Sequence, residues 1–115
     1  MRVTTELWVS AVVRRAFAAG GFAAVERRGA TEAGAIIIVR RDRFGQVKLY
    51  LPAPQTSYDE AQPAERYFIE AADIADDQAV ALRIEREARF DPDLWVVELE
   101  VGDEIFRQLV CVMTL

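Results

Sequence analysis

Apolar residues between positions 5 and 20 recur with a helical period. At 100° per residue, Trp8, Val9, Val12, Val13, Ala16, Phe17 and Ala19 fall on one continuous half of a cylinder, while Ser10, Arg14 and Arg15 fall on the other. Thr5 offers an N-cap oxygen and Gly20 and Gly21 offer a stop, so the pattern predicts a first helix beginning at Glu6. The period then becomes that of strands. Residues 22–28 read as a first strand closed by Gly29. Gly34 opens the run Ala35, Ile36, Ile37, Ile38, Val39, whose unbroken β-branched character predicts an inner strand. Asp42, Arg43, Phe44 and Gly45 spell a turn with glycine in its last place. After it, Val47, Leu49 and Leu51 alternate with Gln46, Lys48 and Tyr50, which completes a hairpin.

Residues 52–66 hold three prolines and no period. Beyond them, 67–72 reads as a fourth strand. Asp76 is placed to cap a second helix running to about Arg89, with Asp77 in the first turn, where the helix dipole favours negative charge. Val80, Ala81, Ile84 and Ala88 form its narrow apolar stripe, Glu85 precedes Arg89 by four residues, and Leu82 lies off the stripe and is expected at the surface. Asp91, Pro92 and Asp93 break this helix ahead of a strand at 94–101. Gly102 and Asp103 then sit between two strand-like runs, the pattern of a two-residue hairpin loop. That register sets Val101 opposite Glu104, Leu99 opposite Phe106 and Glu98 opposite Arg107; the alternative is a loose tail. The expected class is α+β: a mostly antiparallel sheet of five or six strands with both helices packed on one face. No repeat or linker divides the 115 residues, so one domain is expected, with 102–115 as its last strand or tail.

Composition changes this picture mainly by exclusion. The chain is 52% apolar and 29% charged, which fits neither disorder nor low complexity. It has no histidine and one cysteine, Cys111. Ser-His-Asp and Cys-His nucleophile systems and the usual zinc sites need imidazole or several thiolates, so they are set aside. Carboxylate, Lys, Tyr or Arg chemistry remains open, as does a hard-cation site built from oxygen ligands. A lone thiol closes no internal disulfide and favours a reducing compartment. Arg14 and Arg15 imitate a twin-arginine export signal, but the apolar stretch precedes the pair where it should follow. Residues 1–50 carry nine basic against four acidic residues, and 51–115 carry five against fifteen, giving the net −5. We read the two halves as facing each other in the fold, with much of the field cancelling.

Several blocks point to a family. Leu7, Trp8, Val9, Ser10 and Ala11, then Arg14 and Arg15, Gly20 and Gly21, Arg27 to Gly29, Ala33 to Ala35, Leu49 and Tyr50 with Pro52, Ala53, Pro54 and Gln55, and finally the run Arg89, Phe90, Asp91, Pro92, Asp93, Leu94, Trp95, Val96, Val97, Glu98 resemble its signature. The family is one of short alphaproteobacterial proteins classed as a domain of unknown function, and Phe-Asp-Pro-Asp-Leu-Trp is the most specific block. The resemblance covers residue 2 to about residue 100. It implies bacterial origin and a cytoplasmic location, and it carries no activity, ligand or catalytic residue.

Candidate chemistry is sparse. Arg14 and Arg15, Arg27 and Arg28, and Arg40 and Arg41 with Arg43 recur about every 13 residues, and would form a phosphate-binding patch if the fold brought them together. Adjacent strand residues point to opposite faces, and a sequence pI of about 4.8 argues for an acid-paired surface instead. Asp91, Asp93, Glu98 and Glu100 invite a metal or acid–base reading, against which stand ordinary turn chemistry and an exposed strand face. In 52–66, Gln55, Tyr58, Asp59 and Glu60 are placed to read a ligand, or to cover an ordinary surface loop. Trp8 and Trp95 read as core residues, and Cys111 as an inert packed thiol. The expectation is a non-enzymatic interaction or accessory protein without catalytic residues, metal or cofactor. Its partner is another protein or a second copy, meeting a sheet edge or the Leu82 face, and the contact residues are Arg14, Arg15, Arg27, Arg28, Gln55 and Tyr58. A nucleic-acid-binding accessory using the N-terminal arginines is the alternative, and a carboxylate–metal enzyme the second alternative. No membrane partner is expected.

Overall fold

The computed structural model describes residues 3–54 and 66–114. Within them the chain runs α1 (Thr5–Ala18), β1 (Phe22–Arg27), β2 (Ile36–Arg41), β3 (Val47–Pro52), β4 (Tyr67–Glu70), α2 (Asp77–Phe90), β5 (Trp95–Glu100), α3 (Asp103–Leu109) and β6 (Cys111–Val112). The α+β class and the mostly antiparallel six-stranded sheet are as the sequence predicts, and strand bounds differ by a residue or two.

The strand order is β1-β5-β2-β3-β4-β6. β1 runs antiparallel to β5, β2 and β3 form the predicted antiparallel hairpin, and β4 continues it. Two pairs are parallel, β2 with β5 and the short β6 with β4. β5 thus enters between β1 and β2. Its composition explains this, since Trp95, Val96 and Val97 are apolar toward both faces and all fully buried. The same holds for Ile36 to Val39 on β2.

A strand apolar on both faces needs cover on both. The two expected helices therefore lie on opposite faces, not on one. Val9, Val12 and Ala16 of α1 pack with Ile36, Ile38, Trp95, Val97 and Leu99. Val80 of α2, with Ile84 and Ala88 beside it, packs on the reverse with Ile37, Val39, Leu49 and Val96. Each valine, leucine or isoleucine among them contributes roughly 1.5–3 kcal/mol when fully withdrawn from water.

The predicted C-terminal hairpin is not formed. Both edges of β5 already carry a hydrogen-bonded neighbour, so no returning strand can pair with it. Gly102 instead starts α3, with Asp103 and Glu104 in its first turn, and α3 buries Phe106 and Leu109 beside α1. The helix caps follow the sequence closely. Asp76 accepts from Ala79 N at 2.9 Å, as expected. Thr4, not Thr5, caps α1 by accepting from Leu7 N, because the Thr5 hydroxyl is fully buried and donates to Gly34 O at 3.0 Å. The Glu85–Arg89 pair forms at 3.7 Å.

Candidate functional site: an arginine-lined cleft

The two ends of the central strands are built differently. At the end where β1 stops and β2 and β5 begin, the chain crosses itself closely. Ala30 N donates to Asp93 O at 3.0 Å, and the buried Trp95 sends its Nε1–H to Ala30 O at 2.7 Å. Arg27 donates through Nε to Leu94 O and through Nη2 to Pro92 O. Arg28 pairs with Glu6 at 2.8 Å and lies 5.0 Å from the centre of the Trp95 ring. Two of the sequence-predicted contact residues are thus braces between β1 and the segment entering β5.

The opposite end is open. Here α1 turns into β1, β2 reaches its hairpin with β3, and β5 turns into α3. Residues 19–21, 40–44 and 100–103 together with Ile105 line a cleft of about 560 Å³. Asp42 shapes the hairpin turn, its Oδ1 accepting from Phe44 N and Gln46 N, each at 2.9 Å. This leaves Phe44 on the rim, 78% exposed, with Arg43 stacked 5.0 Å from its ring centre.

Arg40 and Arg41 leave β2 on opposite faces. Arg41 bonds Glu98 of β5 through Nε at 2.8 Å and Asp77 of α2 through Nη2 at 2.5 Å, so it ties the first turn of α2 to the sheet. The hydrogen bond from Asp77, then that from Glu98, hold the guanidinium protonated far above its ordinary range. Arg40 lies over Phe106, 4.3 Å from its ring centre, and its Nη2 donates to Val101 O at 3.3 Å and to Asp103 at 2.5 Å. The hydrogen bond and then the charge of Arg40 hold the Asp103 carboxyl below the usual aspartate range.

Of the other expected contacts, Arg14 and Arg15 stand exposed on α1, well apart in sequence from the arginines at the strand ends. Gln55, Tyr58, Asp59 and Glu60 fall outside the described residues. The four carboxylates proposed together separate: Asp91 accepts from Asp93 N in the turn before β5, and Glu98 is held by Arg41. Among the described residues no three of His, Cys, Asp and Glu are grouped to hold a metal ion. Trp95 is core, as expected, whereas Trp8 is half-buried against Phe68, and Cys111 is half-buried on β6. Leu82 is exposed on α2, as expected, and no helix among the described residues is long and apolar enough to cross a membrane.

Sequence reasoning grouped the arginines at 40, 41 and 43 with those at 14, 15, 27 and 28 in one conditional phosphate-binding patch; of these, only Arg40, Arg41 and Arg43 line the cleft. The missed partner was the segment 100–103, read as strand and hairpin loop. A signal was present: acids at 103 and 104 followed by Ile105, Phe106 and Leu109 have the charge and spacing of a short helix entered from glycine.

Fold and cleft together define a small α+β domain with helices on both sheet faces and one open strand end. The chain belongs to the DUF1491 family of proteins of unknown function, whose model matches residues 3–107. Three relatives of known structure come from alphaproteobacteria. The solution structure of protein Atu0922 from A. tumefaciens is 45% identical over 100% of this chain and 98% of that one, with a TM-score of 0.83. A crystal structure of a DUF1491 family protein from Caulobacter crescentus is 33% identical over 96% and 99%, with a TM-score of 0.78. An NMR structure of a DUF1491 family protein from the same organism is also 33% identical, over 99% of each chain, with a TM-score of 0.78. No curated protein matches the chain.

Proposed function

We propose that this protein is a non-enzymatic accessory domain that works by binding, and that the cleft at the open strand end is its working surface. One observation carries this reading. Arg40, which lines the cleft, is largely buried, yet its Nε–H meets no acceptor among the described residues, which leaves a charged donor for a ligand to satisfy. The cleft is also of a size that takes small ligands, and its rim offers an exposed aromatic ring beside cations.

Gly102 provides the test. Its φ of −67° and ψ of 167° suit any residue, and a Cβ added there meets nothing within 4 Å. Gly102→Phe should fill the cleft without disturbing the fold. Incubated with a mixture of bacterial metabolites, the protein should broaden the proton NMR lines of at least one component and convert none, and Gly102→Phe should lose that broadening. Turnover of any component, or binding indifferent to Gly102→Phe, would overturn the proposal.

A further inference from the structure

Arg40 and Arg41 are adjacent in sequence, yet only one is fully engaged. Arg41 places two nitrogens on two carboxylates. Arg40 is the more buried, its side chain 13% exposed against 27% for Arg41, but its single acid partner among the described residues is Asp103, whose side chain is 78% exposed. Its Nη2 is divided between that carboxylate and Val101 O, and its buried Nε–H meets no acceptor among the described residues. Withdrawing a guanidinium from water is costly unless its N–H groups find partners. An attraction to a solvated carboxylate compensates weakly, because solvent screens it. A planar oxyanion accepting side-on from two guanidinium nitrogens would supply what Asp103 does not.

Resting on the reading of the cleft as a binding surface, we infer that Arg40 is the receptor for a ligand's carboxylate, and that Asp103 holds that place from within the chain until the ligand displaces it. Charge selects a carboxylate over a phosphate. The lining carries Arg40, Arg41 and Arg43 against Asp42, Glu100 and Asp103, so its formal charge is balanced and a second negative charge on the ligand gains no net attraction. Shape selects an apolar, flat body behind the carboxylate. Phe44 and Ile105 offer apolar surface, and at Gly20 and Gly102 the walls carry no side chain and stand open. Free aromatic acids and the C-terminus of a peptide ending in an aromatic residue share this chemistry.

The test uses the full chain labelled with ¹⁵N, and reads the Arg40 Nε–H and Gly102 amide signals. The probes are benzoate for a free acid, N-acetyl-phenylalanine for a chain terminus, its uncharged amide, and inorganic phosphate. One or both carboxylates should shift the two signals saturably, the stronger of them naming the source, while the amide and phosphate at the same concentration leave them in place. Asp103→Asn, at an exposed position that keeps the fold, should tighten carboxylate binding several-fold by removing the internal competitor. The inference is overturned if phosphate moves Arg40 as strongly, if neither carboxylate moves it, or if Asp103→Asn leaves the affinity unchanged. Should Arg40 stay still while some other ligand binds in a manner blocked by Gly102→Phe, the carboxylate assignment alone fails. If no ligand is blocked by Gly102→Phe, the cleft itself is not the working surface.

Discussion

The same three strands, β1, β5 and β2, end in contact at one side and in a cleft at the other, and glycines mark the difference. A Cβ on Gly29 would lie 1.9 Å from Asp93 O, and one on Gly34 would lie 2.2 Å from the same oxygen and 2.8 Å from Trp95 Cδ1. At the far end, Gly20 and Gly102 have nothing within 4 Å, although Gly21 beside them packs closely, an added Cβ lying 2.5 Å from Val101 Cγ1 and 2.7 Å from Glu100 O. Glycine at the first pair lets backbone approach backbone; at Gly102 it leaves space unfilled. The arginines follow suit. Arg27 at the closed end is held by carbonyls and Arg28 pairs with Glu6 beside Trp95, while Arg40 at the open end has a buried donor with no acceptor among the described residues. Recurrence of arginine in the sequence therefore does not mean recurrence of role. The closed end stabilises the crossing of β1 and β5, and the open end is the proposed binding surface.

A single methyl group at the closed end should have the largest effect. Gly29→Ala should destabilise the protein by about 4 kcal/mol, because the overlap is with backbone atoms that no rotamer change can move aside. Urea unfolding reads the loss, and a variant of near-wild-type stability would show that the closed end is not closed. Next in size is Arg41→Leu, which leaves the largely buried Glu98 carboxylate without its cation and frees the first turn of α2. About 2–3 kcal/mol should be lost, less than for a fully buried pair because Asp77 is exposed. Gly102→Phe should cost about 0.5–1 kcal/mol, since glycine is a better N-cap than an apolar residue even where it makes no side-chain hydrogen bond. If it matched Gly29→Ala, the open end would be as tightly packed as the closed one.

How much of this was legible follows from how local each determinant is. α1, α2 and the β2–β3 hairpin rest on caps, periods and turn residues within a dozen positions, and Asp76 caps α2 as its sequence context requires. The insertion of β5 between β1 and β2 joins residues 59–78 apart, and no local pattern encodes such pairing. Part of it was nevertheless visible. Four consecutive buried residues, Ile36 to Val39, demand cover on both faces of the sheet, and that demand rules out both helices on one side. The hairpin expected at Gly102 failed for the same reason, since a strand already flanked on both edges has no room for a third partner. The cleft was the least legible feature. It needs Arg40 from β2 and Asp103 from α3, and opposite charges 63 positions apart carry no signal until the sheet order is known.

The smallest expected effect isolates the Arg40–Asp103 contact itself. Arg40 holds the Asp103 carboxyl below the usual aspartate range, first through its hydrogen bond and then through its charge. A carboxylate whose folded pKa is depressed adds stability above its unfolded pKa and loses that stability as the pH falls through the folded value. The pair should therefore leave stability flat near neutrality and weaken only in acid, at a midpoint below that of an ordinary aspartate. Carbon NMR of the Asp103 carboxyl reads this midpoint directly. Arg40→Gln should raise it toward the usual range, and added salt should raise it part of the way, since the carboxylate is exposed and screened. Saturation of the cleft with a carboxylate ligand should raise it as well, because the ligand takes the guanidinium from Asp103. A midpoint that ignores Arg40→Gln would mean that the contact does not persist in solution, and would leave the open end without its internal stand-in.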